Sequence, residues 1–367
     1  MPTYIWELPD WPNFTYDPRT IQQPLVEAVR QHGNLLGLLE GLGFAERDDA
    51  KLEALADEVV HSSEIEGESL DAADVRSSIA RRLGLESGGV PSGDHRVEGV
   101  VEMAIDAATN WTEPLTEDRL FQWQAGLFPG GRGPHGRVRT GAWRDGPMQV
   151  VSGPEGRHRV HFEAPPNHRL SQEMAAFLDW FESAEEPNRV LQAGIAHLWF
   201  ETIHPFDDGN GRVGRAVLDL ALARYDRKPW RCYSVSTQIR EERRAYYDEL
   251  ERAQGGTLDA TPWLVWFLGC LQRALEASTI RIGSAMSRAA FWRTHAAKPF
   301  NERQRKVLSR MLLDWQGNMS NKKWQTLTGA IDRTASRDLD QLVEWGVFRR
   351  VGSGRTTSYE LVRVEER

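Results

Sequence analysis

The sequence predicts a mainly α-helical protein with one β-hairpin in its body and a separate C-terminal part of three helices and a second hairpin. Three observations carry that expectation. Apolar residues recur at helical spacing through most of the chain. A Gly-, Arg- and Pro-rich stretch, 128–167, interrupts them with two short β-like runs around a Pro-Glu-Gly-Arg turn. Residues 298–367 hold 14 Lys/Arg against 9 Asp/Glu, a net of +5, in a 367-residue chain of net charge −8, so the rest carries −13. A basic tail on an acidic body suggests two separate jobs.

The elements follow in order. PDWPNF, within the first fourteen residues, cannot be a regular helix because each proline removes a donor, so an extended arm on the body is expected. From Asp17 the pattern turns helical. Pro18 suits a first turn, Leu25, Val29, Leu35, Leu36 and Leu39 follow at near-helical spacing, and Gly41-Leu42-Gly43 ends the run. A second helix is expected from about Asp48 to His61 and a third from Leu70 to Leu83. A loop at 86–94 leads to helices at 95–110 and 116–127. After the hairpin at 148–163, helices resume at 168–183, 188–203, 211–226, 240–254 and 261–283. In the tail, helices at 301–315, 322–330 and 332–346 precede VFRRVGSGRTTSYELV, a hairpin with a Gly-Ser-Gly tip. That is the outline of a winged helix-turn-helix. The expected regions are 1–110, 111–285 and 298–367, with the last boundary around Lys298-Pro299.

Composition excludes several classes. A 40% hydrophobic fraction is too high for wholesale disorder. No apolar run approaches the ~18 residues of a membrane span, and the first residues lack the basic-then-apolar order of a leader. Cys232 and Cys270 are the only cysteines, too few for a disulfide framework. A cytoplasmic protein without membrane partners is expected.

The chemistry concentrates in HLWFETIHPFDDGNGRVGR, 197–215. His204 follows a hydrophobic helix and is fixed by Pro205. Asp207 and Asp208 are adjacent carboxylates. Gly209, Asn210 and Gly211 form a turn into a new helix, and Arg212 and Arg215 share a face of its first turn. A glycine-rich turn at a helix N-terminus favours an anion. Guanidinium groups grip phosphate oxygens in a fork. A hard carboxylate beside phosphates suits Mg2+, and a histidine at the edge can accept a hydroxyl proton. Base, metal ligand, anion cradle and charge clamp together describe phosphate-transfer chemistry. The plain alternative is a polar interhelical loop with surface salt bridges. Five functional elements within twelve residues weigh against it. His197, seven residues before His204, is expected to be structural.

HPFDDGNGRVGR resembles the signature of the Fic family, H-P-F-x-D/E-G-N-G-R-x-x-R, with every position filled. The resemblance implies a Fic helical core with a flap hairpin. It also implies transfer of AMP from ATP onto a Ser, Thr or Tyr hydroxyl of a target protein, the protein itself included. His204 would deprotonate the hydroxyl, and Asp208 would hold Mg2+ across the α- and β-phosphates. Gly209, Asn210, Gly211 and Arg212 would cradle the phosphates, and Arg215 would clamp the terminal one. Ser62, Glu66 and Gly67 match the family's inhibitory motif, S/T-x-x-x-E-G/N. A glutamate beside Arg215 would take the guanidinium that the γ-phosphate needs, which makes a switch. The alternative is a helix end capped by Gly67, and both can hold. The hairpin resembles the family's flap, with Val150, Val151 and Ser152 near the nucleotide and an edge for an extended target segment. RRAYYDELERAQ resembles a family pattern that would put Tyr247 and Gln254 in the adenine pocket. There the family often has Asn in place of Gln254, and a buried aromatic pair is the plainer reading. The N-terminal arm and the helices after it resemble one bacterial Fic subfamily that also carries a C-terminal winged-helix-like part.

Other readings stay open. The basic tail, with Arg333, Thr334, Ser336 and Arg337 in a recognition position and Arg349, Arg350 and Arg355 on the wing, suits either DNA or protein contacts. A transcription regulator is the alternative from another class. The transferred group could be UMP or phosphocholine, or the enzyme could remove AMP. A homodimer is left open.

Overall fold

The computed structural model describes residues 4–85, 94–134, 136–153, 159–183, 186, 188–228, 231–313, 315 and 317–362. The 86–93 part of the expected loop and the Pro-Glu-Gly-Arg turn lie outside the described residues, as does the side chain of Arg355. The chain divides into two compact units, Met1–Thr279 and Ile280–Arg367.

The first unit is built of helices around two buried ones. After a 3-10 turn at Ile5–Glu7 come α1 (Pro18–Glu40), α2 (Phe44–Ile65), α3 (Ala72–Arg82), α4 (His95–Thr109) and α5 (Glu117–Leu127). Asp17, Asp71, Asp94 and Thr116 cap four of them, each side chain accepting from a backbone N–H of the first turn. A two-residue pair, β1 (Arg132–Gly133) with β2 (Gly136–Arg137), precedes the antiparallel hairpin β3 (Gln149–Ser152) and β4 (Arg159–Glu163). Then follow α6 (Leu170–Glu182), α7 (Arg189–Ile203), α8 (Asn210–Asp226), α9 (Val235–Glu241) and α10 (Arg243–Gln254). In α7 every residue from Val190 to Ile203 is buried, and α8 is nearly as enclosed. A helix apolar on all sides must lie inside others. These two form the centre, and the loop between them carries the signature residues.

The structure differs from the sequence expectation in several places: the arm expected to be extended holds a 3-10 turn, a short β1–β2 pair was not expected, and three helices differ for identifiable reasons. The second helix runs on to Ile65 through Ser62 and Ser63. The Ser63 hydroxyl bonds back to the Val59 carbonyl at 3.1 Å, which satisfies it inside the helix. The short helix α9 was not anticipated. Its start is closed by Ser234 and, from far along the chain, by the Glu58 carboxylate, which accepts from Ser234 Oγ at 2.8 Å and Ser236 N at 3.1 Å. No local pattern announces such a cap. α11 runs Thr261–Thr294, past the expected end, because neither proline nor a stop motif interrupts it.

The N-terminal arm is a 3-10 turn and coil. Trp6 Nε1 donates to the Glu163 carbonyl at the end of β4, and the Tyr4 ring meets Phe162 edge-on. The arm therefore braces the hairpin.

The second unit contains α12 (Glu302–Leu313), α13 (Asn321–Thr328), α14 (Asp332–Glu344) and the antiparallel pair β5 (Phe348–Val351) and β6 (Ser358–Leu361). Its own core includes Leu308, Met319, Trp324, Leu339, Leu342 and Phe348.

Candidate active site

His204 ends α7 in the left-handed region, at φ 51° and ψ 61°. That conformation turns the chain sharply out of the helix, and several groups hold it. Arg144, itself 3% exposed, donates through Nε to the His204 carbonyl at 2.9 Å, through its backbone N–H to the Pro205 carbonyl at 2.9 Å, and through Nη1 to the Gly146 carbonyl at 2.8 Å. Burial brings the Arg144 guanidinium down to about 10, against the opposing pull of Asp207, so it remains charged at neutral pH. Nothing in the sequence around Trp143-Arg144-Asp145 marked it.

The His204 ring is mostly buried. Its Nδ1 lies 3.2 Å from the Glu201 carbonyl. A carbonyl only accepts, so Nδ1 carries the proton and Nε2 keeps its lone pair. Burial lowers the ring to about 4, so it is neutral at physiological pH. Glu201 lies beneath it, 4% exposed, with Oε1 lacking a hydrogen-bond partner. Burial raises its carboxyl to about 8, although Arg215 pulls the other way. Gln254, also buried, donates to the same Glu201 carbonyl at 3.1 Å. His197 is fully enclosed between the Gly214 carbonyl and the Tyr246 hydroxyl, each at 3.0 Å.

Asn210 ties the loop together. Its Oδ1 accepts from Phe206 N and its Nδ2 donates to the Phe206 carbonyl, both at 2.8 Å. Its side chain is thus committed to the loop, which leaves only its backbone for the expected anion contact. Gly209 opens α8 at φ 88°, where only glycine sits without strain. The first N–H groups of a helix have no intrahelical acceptor. Asp208 is a third exposed, and its Oδ1 accepts from Gly209 N at 2.6 Å.

Two carboxylates from α2 occupy this helix start. Gly67, at φ 82°, ends α2, and Glu68 N bonds back to the Ser63 carbonyl at 3.0 Å, the six-to-one bond of a Schellman stop. The stop directs both flanking glutamates at α8. Glu66 Oε1 lies 2.8 Å from Arg215 Nη2. A Cβ on Gly211 would fall 2.1 Å from that same oxygen, so the carboxylate rests directly on the first turn. Glu68 Oε2 lies 2.8 Å from Arg212 Nη1. Ser62 completes the set: its Oγ and its carbonyl accept from Arg215 Nε and Nη2 at 2.9 and 2.8 Å. Arg212 and Arg215 are nearly fully buried, and Arg215 Nη1 and Arg212 Nε have no hydrogen-bond partner. Glu68 was missed in the sequence. Its signal was two acids flanking a glycine, opposite two arginines three apart.

The remaining expected residues lie around this centre. Val150 is half-buried, while Val151 and Ser152 are exposed on the hairpin. Tyr246 is buried, whereas Tyr247 is 37% exposed under the Arg243 guanidinium. In the second unit Arg333 and Arg337 are exposed on the first turns of α14, and Ser336 accepts from Asn321 at 2.7 Å. Arg349 pairs with Glu360, and Arg350 with Asp340.

Fold and site together define a helical protein in which two carboxylates of the chain itself lie on the start of a buried helix. Residues 114–222 match the Fic/DOC family. Residues 4–85, which hold the closing segment up to Glu68, match a family described only as a domain of unknown function, DUF4172. A uridine 5'-monophosphate transferase from Xanthomonas campestris pv. campestris is 30% identical over 153 residues, 38% of this chain and 27% of that protein. A protein adenylyltransferase Fic from Culex quinquefasciatus is 27% identical over 234 residues, 62% of this chain and 42% of that protein. The chain thus spans less than half the length of these curated relatives. Among solved structures, a Fic family protein from Desulfovibrio desulfuricans G20 superposes with TM-score 0.55 at 24% identity, covering 97% of this chain and 99% of that one. Fic-1 from C. elegans gives 0.54 at 20%, covering 74% and 75%. At those identities the likeness speaks to the fold.

Proposed function

We propose that the protein transfers a nucleotidyl group, AMP from ATP, onto a Ser, Thr or Tyr hydroxyl of a target protein, itself included, and that Glu66 and Glu68 hold it inhibited. The observation that carries this reading is the Glu66 carboxylate on Arg215 at the start of α8. A γ-phosphate would need that guanidinium and those N–H groups. The relatives' names support the reaction class, and the Xanthomonas relative keeps UMP open as the transferred group.

The chain's own residues supply most of the chemistry. His204 Nε2, neutral and outward, takes the proton of the acceptor hydroxyl. The oxygen bonds to the α-phosphorus, the bond to the leaving diphosphate breaks, and pyrophosphate departs. Arg144 and Asn210 keep the base and the loop in place. The first turn of α8, Arg212 and Arg215 hold the phosphates once the two glutamates withdraw. Among the described residues no group of three His, Cys, Asp or Glu forms a metal site by itself. A lone, part-exposed Asp208 nonetheless fits Mg2+, which keeps its waters and binds largely through substrate phosphates. Bound there, Mg2+ would neutralise charge on the phosphates. Tyr247 and Gln254 border the adenine side, and the exposed Val151 and Val160 on the hairpin offer an apolar edge to an extended target segment.

We read the second unit as a winged helix for protein contacts, since Arg349 and Arg350 of its wing are already paired with carboxylates. Salt-dependent DNA binding by the full chain would reverse that. Both cysteines are buried and far apart in the sequence, which suits a cytoplasmic protein.

The test compares wild type, Glu66→Gly and Glu66→Gly/His204→Ala with labelled ATP, or labelled UTP, and Mg2+. Label on protein in the single variant, lost with His204, supports the reading. Equal label with and without His204 rejects the assigned base, and no gain over wild type in the single variant rejects the inhibition.

A further inference from the structure

The flap hairpin holds a second line of polar groups. Ser152 Oγ lies 2.6 Å from His161 Nε2, and His161 Nδ1 lies 2.7 Å from Glu251 Oε2 on α10. Arg159 Nη2 donates to the other Glu251 oxygen at 2.6 Å. Hydroxyl, imidazole and carboxylate stand in line, each ring nitrogen used once, which is how a weak nucleophile is activated. The hairpin is built for it. Val150 pairs with Phe162 and Val151 with Val160, so His161 has no partner across the ladder. A bulge of this kind re-aims its side chain, and bulges collect next to active sites. Partial desolvation opposes ionisation of Glu251, and His161 and Arg159 outweigh it, so the carboxylate is ready to accept from Nδ1. Nε2 is then free to accept a hydrogen bond from the Ser152 hydroxyl and so to orient and polarise it.

The position also matters. Tyr247, Glu251 and Gln254 are four and three residues apart on α10, and so share a face. Gln254 reaches the Glu201 carbonyl that also holds the His204 ring. The line of groups therefore borders the catalytic loop. Two other hydroxyl–histidine pairs do not compare. Thr237 Oγ1 meets His61 Nδ1 but donates its proton to Ser234, and Tyr246 is buried against His197. Ser152 is exposed.

We propose that Ser152 is a modification site, the acceptor hydroxyl for a nucleotidyl group that one copy of the protein transfers to another, with His161 and Glu251 as its activating pair. This rests on the transfer reading above and names an acceptor for it. Ser152 Oγ bonds to the α-phosphorus of the nucleoside triphosphate. The bond from phosphorus to the diphosphate oxygen breaks, pyrophosphate leaves, and the hydroxyl proton, held by His161 Nε2 before the attack, passes to His204 Nε2 of the donor copy.

The test uses full-length proteins. A Glu66→Gly donor is mixed with a catalytically dead His204→Ala acceptor of distinguishable size, in labelled ATP and Mg2+. Parallel acceptors carry His204→Ala with Ser152→Ala, or with Glu251→Gln. The modified residue is located by mass spectrometry in donor and acceptor alike. The expected result is label at Ser152 of the His204→Ala acceptor. Label should fall at least about tenfold without Ser152, and several-fold with Glu251→Gln, which frees the His161 ring that polarises the hydroxyl. Label confined to another residue, or undiminished without Ser152, overturns this acceptor and leaves the transfer reading standing. No label on any copy, or on an added unrelated protein, overturns both.

Discussion

Arg215 makes two bonds to Ser62 and one ion pair to Glu66. One guanidinium cannot serve that carboxylate and a terminal phosphate together, so removing the carboxylate should release activity. Glu66→Gly is expected to raise transfer by at least about tenfold, a common size for a coupling between competing ligands. Initial rates of label incorporation measure it. The base makes a sharper prediction. Burial takes the His204 ring from 6.5 to about 4, with Glu66 among the groups that oppose the shift. Removing Glu66 therefore moves it no higher. A base must be unprotonated, so activity is lost as pH falls through the ring's folded value. In Glu66→Gly, transfer should stay level from about pH 8 to about pH 5 and drop only near pH 4. A drop centred near the free-histidine value would show that the ring is solvated and the buried geometry wrong.

At the scale of elements, α2 acts through its end. The Schellman stop at Gly67 aims Glu66 and Glu68 at two arginines three residues apart on α8. If the lock has two prongs, Glu68→Gln alone should raise transfer several-fold, and combining it with Glu66→Gly should exceed Glu66→Gly alone. Equal rates for the single Glu66 variant and the double variant would reduce Glu68 to a surface ion pair of small value. Elsewhere α4 and α5 cross with their backbones in contact. A Cβ on Gly99 would fall 1.8 Å from the Gly126 carbonyl oxygen, whereas one on Gly126 meets nothing closer than 3.5 Å. Gly99→Ala should therefore cost about 1–3 kcal/mol in denaturant melts, and Gly126→Ala much less. The limits of the sequence follow from the same contacts. The helical body, the hairpin and the loop after α7 were legible because spacing and turn residues are local signals. α9 was not, because Glu58 closes it from 176 residues away. Arg144 was not, because its partners are backbone carbonyls. Asn210 was read by type as a phosphate contact, and only the fold shows its amide spent on Phe206.

For the whole molecule, the same buried groups set how stability follows pH. His197 and His204 are lowered by burial from 6.5 to about 3 and about 4, Glu201 is raised from 4.5 to about 8, and Asp219 from 3.8 to about 7. A lowered histidine contributes stability that is present above its unfolded value and lost as pH falls towards its folded one. A raised carboxyl does the reverse: its contribution is complete below its unfolded value and lost as pH rises through its folded one. Between about 4.5 and 6 the unfolded chain binds up to two extra protons on the histidines, and the folded chain holds one each on Glu201 and Asp219. The two sides nearly cancel, so stability should be nearly level there. Above about 6.5 the histidines become neutral in both states while Glu201 and Asp219 still titrate. Stability should then fall with pH, by more than roughly 1.4 kcal/mol per unit near pH 7 and by less towards about pH 8. Glu201→Gln has no proton to lose, so it should turn the plateau into a climb of roughly 1.4 kcal/mol per unit and end the alkaline decline near pH 7. Hydrogen exchange of the α7 amides at about pH 5, 6.5 and 8 reads this in the unit that holds all four groups. A profile that Glu201→Gln leaves unchanged would mean that Glu201 is ionised beside Arg215 in the resting protein, and that the floor of the site is charged.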